Sequence, residues 1–426
     1  MFSQYNKISL KIFLLFVCFI GFQSIEAKNT IEIDTARFTK YKGIVIDSKT
    51  KKPLEFATLT VNTTNISTVT NTQGKFSLKV PKIYTDKSIT VSYLGYTSQI
   101  IKLKDLDNKK NTIRLETHIE QLSEVNISIK DAESLLKKVL KSKNDNYFGS
   151  PTTMTAFYRE TIKKRNTYVS LTEAVVEINK HPYTSGRNDF VKLYKSRKST
   201  NYKKLDTLTL KLRGGPFSTL RLDVMKNPTL LFTDNAFENY NFYFQKSTKI
   251  DNKPIYVLRF EQKKKVKDPL FYGKLYIDAN TYALTNAEFS LNLKDQKKAA
   301  PFFILKKPKK AEVLPIKADY RVDYRVKNGK WYYGYSRIDL GFKIDWDKRW
   351  FNSVYYSSME MAITDWKINE NKDFFKPKNR LKRSVIMSDE ASGFSDPDFW
   401  GEYNVIEPEK PIENAIKKIQ RQLKRL

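Results

Sequence analysis

The chain has 426 residues, 40% of them apolar, with 5 Trp, 25 Tyr, 27 Phe and a formal net charge of +31. That length exceeds what one hydrophobic core usually supports and predicts two folded units, one of them small, while the apolar and aromatic content excludes a disordered chain. The lone cysteine, Cys18, excludes a disulfide framework, and its place in the leader described next leaves no thiolate for a zinc site.

Lys7 and Lys11 precede an apolar run from Ile12 to Phe22 and a polar exit ending at Ala27, the layout of a cleaved signal peptide over residues 1–27. The run is shorter than the roughly 20 residues of a spanning helix, and none like it recurs, so no transmembrane helix is expected in the mature chain. Export makes nucleic acid an improbable partner for the positive charge. Anionic lipid, acidic polysaccharide or an acidic protein of the envelope would suit it, as would plain solvated lysine faces.

Short alternating runs then follow between turn residues: Gly43 to Ile46, Ala57 to Val61, Lys75 to Val80 stopped by Pro81, Ile89 to Tyr93, and Thr112 to Leu115. Such runs predict a compact β-sandwich over residues 40–117. With Gly43, Asp47, Pro53-Leu54, Ala57, Val61, Asn71, Gly74, Phe76, Leu78 and Leu94-Gly95-Tyr96, the stretch resembles the carboxypeptidase-like regulatory domain, a transthyretin-like, Ig-like sandwich of exported proteins. Gly74 is placed to supply a positive φ in its turn. The same module precedes outer-membrane receptor barrels, but the 311 residues after Leu115 are too few for a barrel of some 22 strands.

A linker, 118–150, holds Ala132, Leu135, Leu136, Val139 and Leu140 at helical spacing behind an Asp131 N-cap. From 151 to 370 strand patterns dominate, with Asn328-Gly329 marking a type I′ hairpin. A helix is expected after Gly214-Gly215-Pro216, with Phe217, Leu220, Val224 and Met225 on its apolar side. Successive hairpins predict a large, curved antiparallel sheet, open or closed to a half-barrel, crossed by one or two helices. Residues 371–426 form a C-terminal extension: Phe399 and Trp400 are placed to anchor it, and a basic amphipathic helix is predicted from Pro411. Asn146-Tyr147, Phe157 to Glu160, Gly214 to Pro216, Gly273 to Asp278 and the closing segment make the whole mature chain similar to exported proteins carrying the regulatory-like module. The strand-turn-strand form around Gly273 also looks like the sheets of periplasmic lipoprotein carriers, a likeness of fold only.

Catalytic signals are weak. A metallocarboxypeptidase needs a histidine and a glutamate at H-x-x-E spacing, yet His118 is followed by Gln121 and His181 by Thr184, so no zinc hydrolase is expected. Gly393 to Pro397 departs from the G-x-S-x-G elbow, and Ser134/Lys137 lack their partner motifs. Asp396, Asp398 and Glu402 break the order of a calcium loop. No cofactor is expected. In the stretch Lys297 to Lys310, Phe302, Phe303, Ile304 and Leu305 stand between lysine clusters that include Lys306 and Lys307; the string fits either a membrane or partner contact or a core strand. The expected function is non-enzymatic binding or scaffolding of an envelope component. A lipid or lipoprotein carrier using the sheet's concavity is the alternative, and a carboxylate-pair hydrolase a remoter one.

Overall fold

Alternation of apolar residues with polar ones sets the strands of the N-terminal module. The structure, a computed structural model, describes residues 37–117, 131–200, 214–233, 235–250, 253–303, 311–347, 352–370, 379–393, 399–409, 412–414 and 416. The leader, residues 118–130, Ile304 to Lys307, Asp396, Asp398 and most of the tail helix lie outside the described residues. The sandwich has one three-stranded sheet, in the order β4 (Lys75–Pro81), β1 (Phe38–Asp47), β7 (Asn111–Leu115). Its partner sheet runs β3 (Ser67–Val69), β2 (Thr58–Val61), β5 (Ser88–Ser92), β6 (Gln99–Lys102). Between them Val45, Leu59, Val61, Phe76, Leu78, Val91 and Ile113 form a closed apolar core. Its turns are built as the composition implied. Asp47 Oδ1 accepts the N–H groups of Lys49 and Thr50, its Oδ2 accepts the Tyr96 hydroxyl at 2.8 Å, and Gly74 sits at φ +69°. A Cβ at Gly74 would lie 2.6 Å from the Val45 carbonyl, so both conformation and space demand glycine.

The helix Ala132–Lys141 is capped by Asp131, whose carboxylate accepts the Ser134 N–H, and it buries Leu135, Leu136 and Val139. Beyond it lies a ten-stranded antiparallel sheet that is not closed. Three strands, β8 (Thr152–Lys164), β9 (Thr167–Lys180) and β10 (Phe190–Thr200), form one limb. The chain then crosses to the far edge and returns as a meander of β11 (Tyr240–Ile250), β12 (Lys253–Gln262), β13 (Phe271–Asp278), β14 (Leu284–Leu291), β15 (Ala311–Lys327), β16 (Lys330–Trp346) and β17 (Ser353–Ile368). Strand β17 pairs with β8, joining the limbs, and the two-residue β18 (Ser392–Gly393) lies parallel to β10 at the edge. Asn328 and Gly329, both at positive φ, form the β15–β16 turn.

One face of this sheet is covered by the capped helix and by the segments 214–233 and 235–239. Leu220, Leu222, Val224, Met225, Leu231 and Phe232 of the first segment pack on Tyr158, Val176, Leu258, Leu275, Phe289 and Tyr333 of the strands. The helix after Gly215 is shorter than its apolar pattern implied. It spans only Pro216–Leu220, because Asp223 is drawn into the core, where it accepts the hydroxyls of Tyr183 and Tyr324, each at 2.9 Å, and pairs with buried Lys180 at 2.7 Å. Val224 and Met225 are still fully buried, on turns rather than on a helix. Ala300–Phe302 is a single 3-10 turn, with Phe302 61% exposed and Phe303 packed edge-on to Phe342. Among the described residues, no helix is long and apolar enough to cross a membrane.

Glu160, on the same face, is enclosed and accepts the Tyr158 hydroxyl at 2.9 Å. Burial raises its carboxyl from 4.5 to about 7, outweighing that hydrogen bond. Between those values the folded chain keeps a proton that the unfolded chain has released, so stability falls as pH rises through this window, and the loss is complete above it. Glu160→Gln keeps an acceptor for Tyr158 and removes the titration. It should stabilise the fold by about 3 kcal/mol near pH 8 and leave it unchanged near pH 4, as read from urea melts at both.

Candidate functional site

The other face of the large sheet carries charge where a covered face would ordinarily be apolar. Cross-strand pairing lines up Tyr243, Arg259, Lys274, Glu288, Arg321, Arg337, Glu360, Arg159, Glu173 and Arg197, one residue from each of ten neighbouring strands, β11 to β10. Directly opposed residues on one face are close enough to interact, so the row behaves as a single electrostatic unit.

Its inner part is sealed. Glu173 is fully buried between Arg159 and Arg197, 2.8 and 2.7 Å away. Burial alone would push its carboxyl up; the two guanidiniums outweigh burial and hold it below the usual range. Arg159 also reaches Glu360 at 3.3 Å and donates to the Ile406 carbonyl at 2.6 Å. Glu360 in turn accepts the Tyr335 hydroxyl and a guanidinium N–H of Arg337. Arg321 and Arg337 oppose each other with like charge, and each is compensated by an aspartate two residues along its strand, Asp323 and Asp339, at 2.8 Å. Arg321 also binds Glu288 at 2.8 Å.

The sandwich sits on this row. Phe56 stacks on Tyr335 with ring centroids 5.2 Å apart, and the Arg321 and Arg337 guanidiniums lie 5.5 and 5.3 Å from its ring centroid. Phe56 holds φ +63°, a strained conformation for a bulky residue that persists only where its surroundings fix it, as this socket does. Ser67 is hydrogen-bonded to Arg325 and to the Ile363 carbonyl. The C-terminal segment 399–409 wedges in beside it. Trp400 packs on Phe157, Asn404 exchanges two hydrogen bonds with the Lys79 backbone, and Glu409 accepts from both Thr72 and Tyr168. Phe399 and Trp400 thus anchor the extension as the sequence implied. Ile412 and Ile416, the described apolar positions of the tail helix, are buried against Leu171.

The row's other end is open. The loop Leu94-Gly95 reaches strands β11 to β13, with Leu94 packed on Val257 and Tyr276 and Gly95 beside Thr248. Two hollows lie here. One, of about 660 Å³, is lined by Leu94, Gln245, Lys246, Thr248, Lys274 and Tyr276. The second, of about 540 Å³, shares Lys274 and continues along Tyr272, Glu288, Asp319, Arg321, Arg337 and Asp339 to Phe56. Volumes of this order are those of small-molecule sites. Among the described residues, no group of three His, Cys, Asp or Glu side chains could hold a metal ion. His181 is buried at the end of β9, its ring against Phe190 and its backbone N–H donating to Asp189.

The sequence-derived contact residues lie elsewhere. Phe302 and Phe303 are at the β14–β15 connection, outside both hollows, while Ile304, Leu305, Lys306 and Lys307 fall outside the described residues. The sealed part of the row had a signal that sequence reading passed over: a charge inside an apolar strand, as Glu173 in Leu171 to Val176.

With this geometry in hand, residues 41–127 match the CarboxypepD_reg-like domain. No curated protein matches the chain in sequence. Among solved structures, 58% of the chain is similar to 97% of a LolA superfamily protein from Nitrosomonas europaea, at 10% identity and a TM-score of 0.23. A DUF1329 family protein from Desulfovibrio piger is similar over the same shares, at 10% identity and a TM-score of 0.24. Lipovitellin aligns over 55% of this chain and 27% of its own, at 8% identity and a TM-score of 0.25.

Glu173→Gln would leave two enclosed guanidiniums facing an amide. At neutral pH it should cost about 3–5 kcal/mol in urea unfolding. Because the native carboxyl is held low, its contribution is present above about pH 4.5 and fades as pH falls through the folded value, so the difference from the parent should shrink in acid.

Proposed function

We propose that this protein is a non-enzymatic binding or scaffolding component of the cell envelope, exported by its leader to the periplasm or the outer-membrane surface. The observation that carries this reading is the contrast between the two faces of the large sheet. The helix-bearing face is filled by the chain's own side chains, whereas the hollows open on the other face, where the regulatory-like sandwich meets the sheet. A partner or ligand held there would touch both modules at once.

Two features favour binding over turnover. Arginines or lysines stand against the carboxylates of the second hollow: Glu288 on Arg321, Asp339 on Arg337, Asp319 on Lys317 at 3.4 Å. A carboxylate pair for hydrolysis needs one member kept protonated. Burial raises three described acids: Glu160, to about 7, is enclosed on the opposite face, Asp365 lies on β17 away from the hollow's lining, and at Glu55, next to Phe56, the charges of Arg337 and Arg321 oppose the rise. The packed helix-bearing face also favours this reading over a carrier that stores an acyl chain in the sheet's concavity. Phe302, exposed beside its anchored neighbour Phe303, is a second surface for contact.

A photo-crosslinking residue in place of Lys246 should capture an envelope component in intact cells, and the same residue in place of Lys104, exposed on the sandwich, should not. Native mass spectra of protein from its own host should show no acyl ligand. An acyl chain in those spectra would establish the carrier instead, and equal capture at both positions would remove the hollows from the reading.

A further inference from the structure

The two hollows differ in chemistry in a way that specifies a ligand. We infer that together they bind an acidic oligosaccharide, with its anionic group in the first hollow and its hydroxyl groups in the second. This rests on the reading of the junction as a binding site and adds the class of ligand.

The first hollow presents cations and neutral polar groups with no carboxylate in its lining: Lys246 and Lys274, with Gln245, Thr248 and the Tyr276 hydroxyl. Lys274 is exposed and directly opposite Arg259 across the β12–β13 pair, a like-charge juxtaposition that is unfavourable unless an anion answers it. Arg259 has Glu261 at 2.5 Å, both of them at the surface. Lys274 has no carboxylate within ion-pair distance among the described residues. Glu288, its neighbour across β14, is engaged by Arg321 and by the Tyr276 hydroxyl. This end of the row is therefore a charged fork awaiting a partner, unlike the sealed arginines further along it.

The second hollow alternates donors and acceptors. A second cross-strand row, Tyr272, Ser290, Asp319, Asp339, runs beside the arginines, and Ser290 donates to Asp319 at 2.6 Å. Planar guanidiniums and carboxylates side by side suit a ligand whose every hydroxyl both donates and accepts. Tyr243 and Tyr272, 44% and 50% exposed, flank the cations with aromatic faces on which the C–H face of a sugar ring can rest. Apolar groups also line both hollows, Leu94 and Val257 in the first and Phe56, Phe289 and Tyr320 in the second; the paired donors and acceptors between them are what suit a saccharide, and vesicles in the test below separate it from a lipid.

The test uses the full mature chain and defined probes: oligogalacturonides, sulfated and phosphorylated oligosaccharides, neutral galacto-oligosaccharides, and phosphatidylglycerol vesicles. At least one acidic series should bind about tenfold more tightly than the neutral one and weaken steeply with salt. Lys274→Glu and Tyr272→Ala should each weaken that binding about tenfold, while Lys104→Glu leaves it unchanged. Thermal melts check that the variants fold, and Lys274→Gln substitutes where charge reversal disturbs the strand. No preference for acidic over neutral glycans, or binding indifferent to Lys274, overturns the proposal, as does vesicle binding without glycan binding. If glycans fail while crosslinking at position 246 still captures a component, the saccharide assignment falls and the binding role stands; if both fail, both fall.

Discussion

An enclosed carboxylate such as Glu173 is tolerated only when cations and hydrogen bonds replace the water it has lost. Arg159 and Arg197 do this from the strands on either side, so their side chains must sit on the same face and in the same register as the glutamate. A one-residue slip of β9 would turn Glu173 toward the helix-bearing core and leave both arginines buried without it. The ion row thereby selects one register for the middle of a wide sheet whose apolar residues, abundant on both faces there, discriminate less well. It also gives Arg159 a fixed orientation from which to bind the Ile406 carbonyl, so the placement of the C-terminal segment depends on the same charges.

From this follows the attachment of the sandwich. Phe56 is held between Tyr335 and two guanidiniums that are themselves fixed by Asp323, Asp339 and Glu360. A flexible lysine would give no such socket; a planar guanidinium anchored by its own aspartate presents a flat face to the ring. The strained backbone of Phe56 is consistent with this order of dependence, since the ring's fit is what maintains its φ. The C-terminal segment then binds both modules, through Asn404 and Trp400, and Phe38–Leu426 forms one compact unit.

Local signals were legible where the residue itself carries the constraint. Asn328-Gly329 requires a type I′ turn, Gly74 a left-handed turn, Asp131 a helix start, and each takes that form. The alternation of β1, β4 and β5 similarly announced a sandwich. Other features depend on partners distant in sequence. The helix after Gly215 ends early because Asp223 meets Lys180, Tyr183 and Tyr324, and no periodicity in residues 216–225 records that. The charge row is assembled from ten strands, and without the register Arg159, Glu360 and Arg321 read as solvated residues. The place of strand β10 depends on a distant partner in the same way: it lies beside β9, with Arg197 reaching Glu173.

The regulatory-like module brings its own motif to the open end of the row. The stretch from Val91 to Tyr96 first completes β5 and then turns outward. Tyr96 returns to Asp47 within the sandwich, while Leu94 and Gly95 project over β11 to β13. The backbone at Gly95 lies close enough to Thr248 that a Cβ there would stand 3.3 Å from its hydroxyl, and its φ of +81° disfavours any side chain. The loop that identifies the module is thus the one that roofs the hollow, and it is tied at its base by Asp47. A sandwich docked by Phe56 alone could pivot about that ring. With Phe56 at one point, Ser67 at another and Leu94 at a third, the roof is fixed relative to Lys274 and Tyr276, as the proposed binding role, divided between two modules, requires.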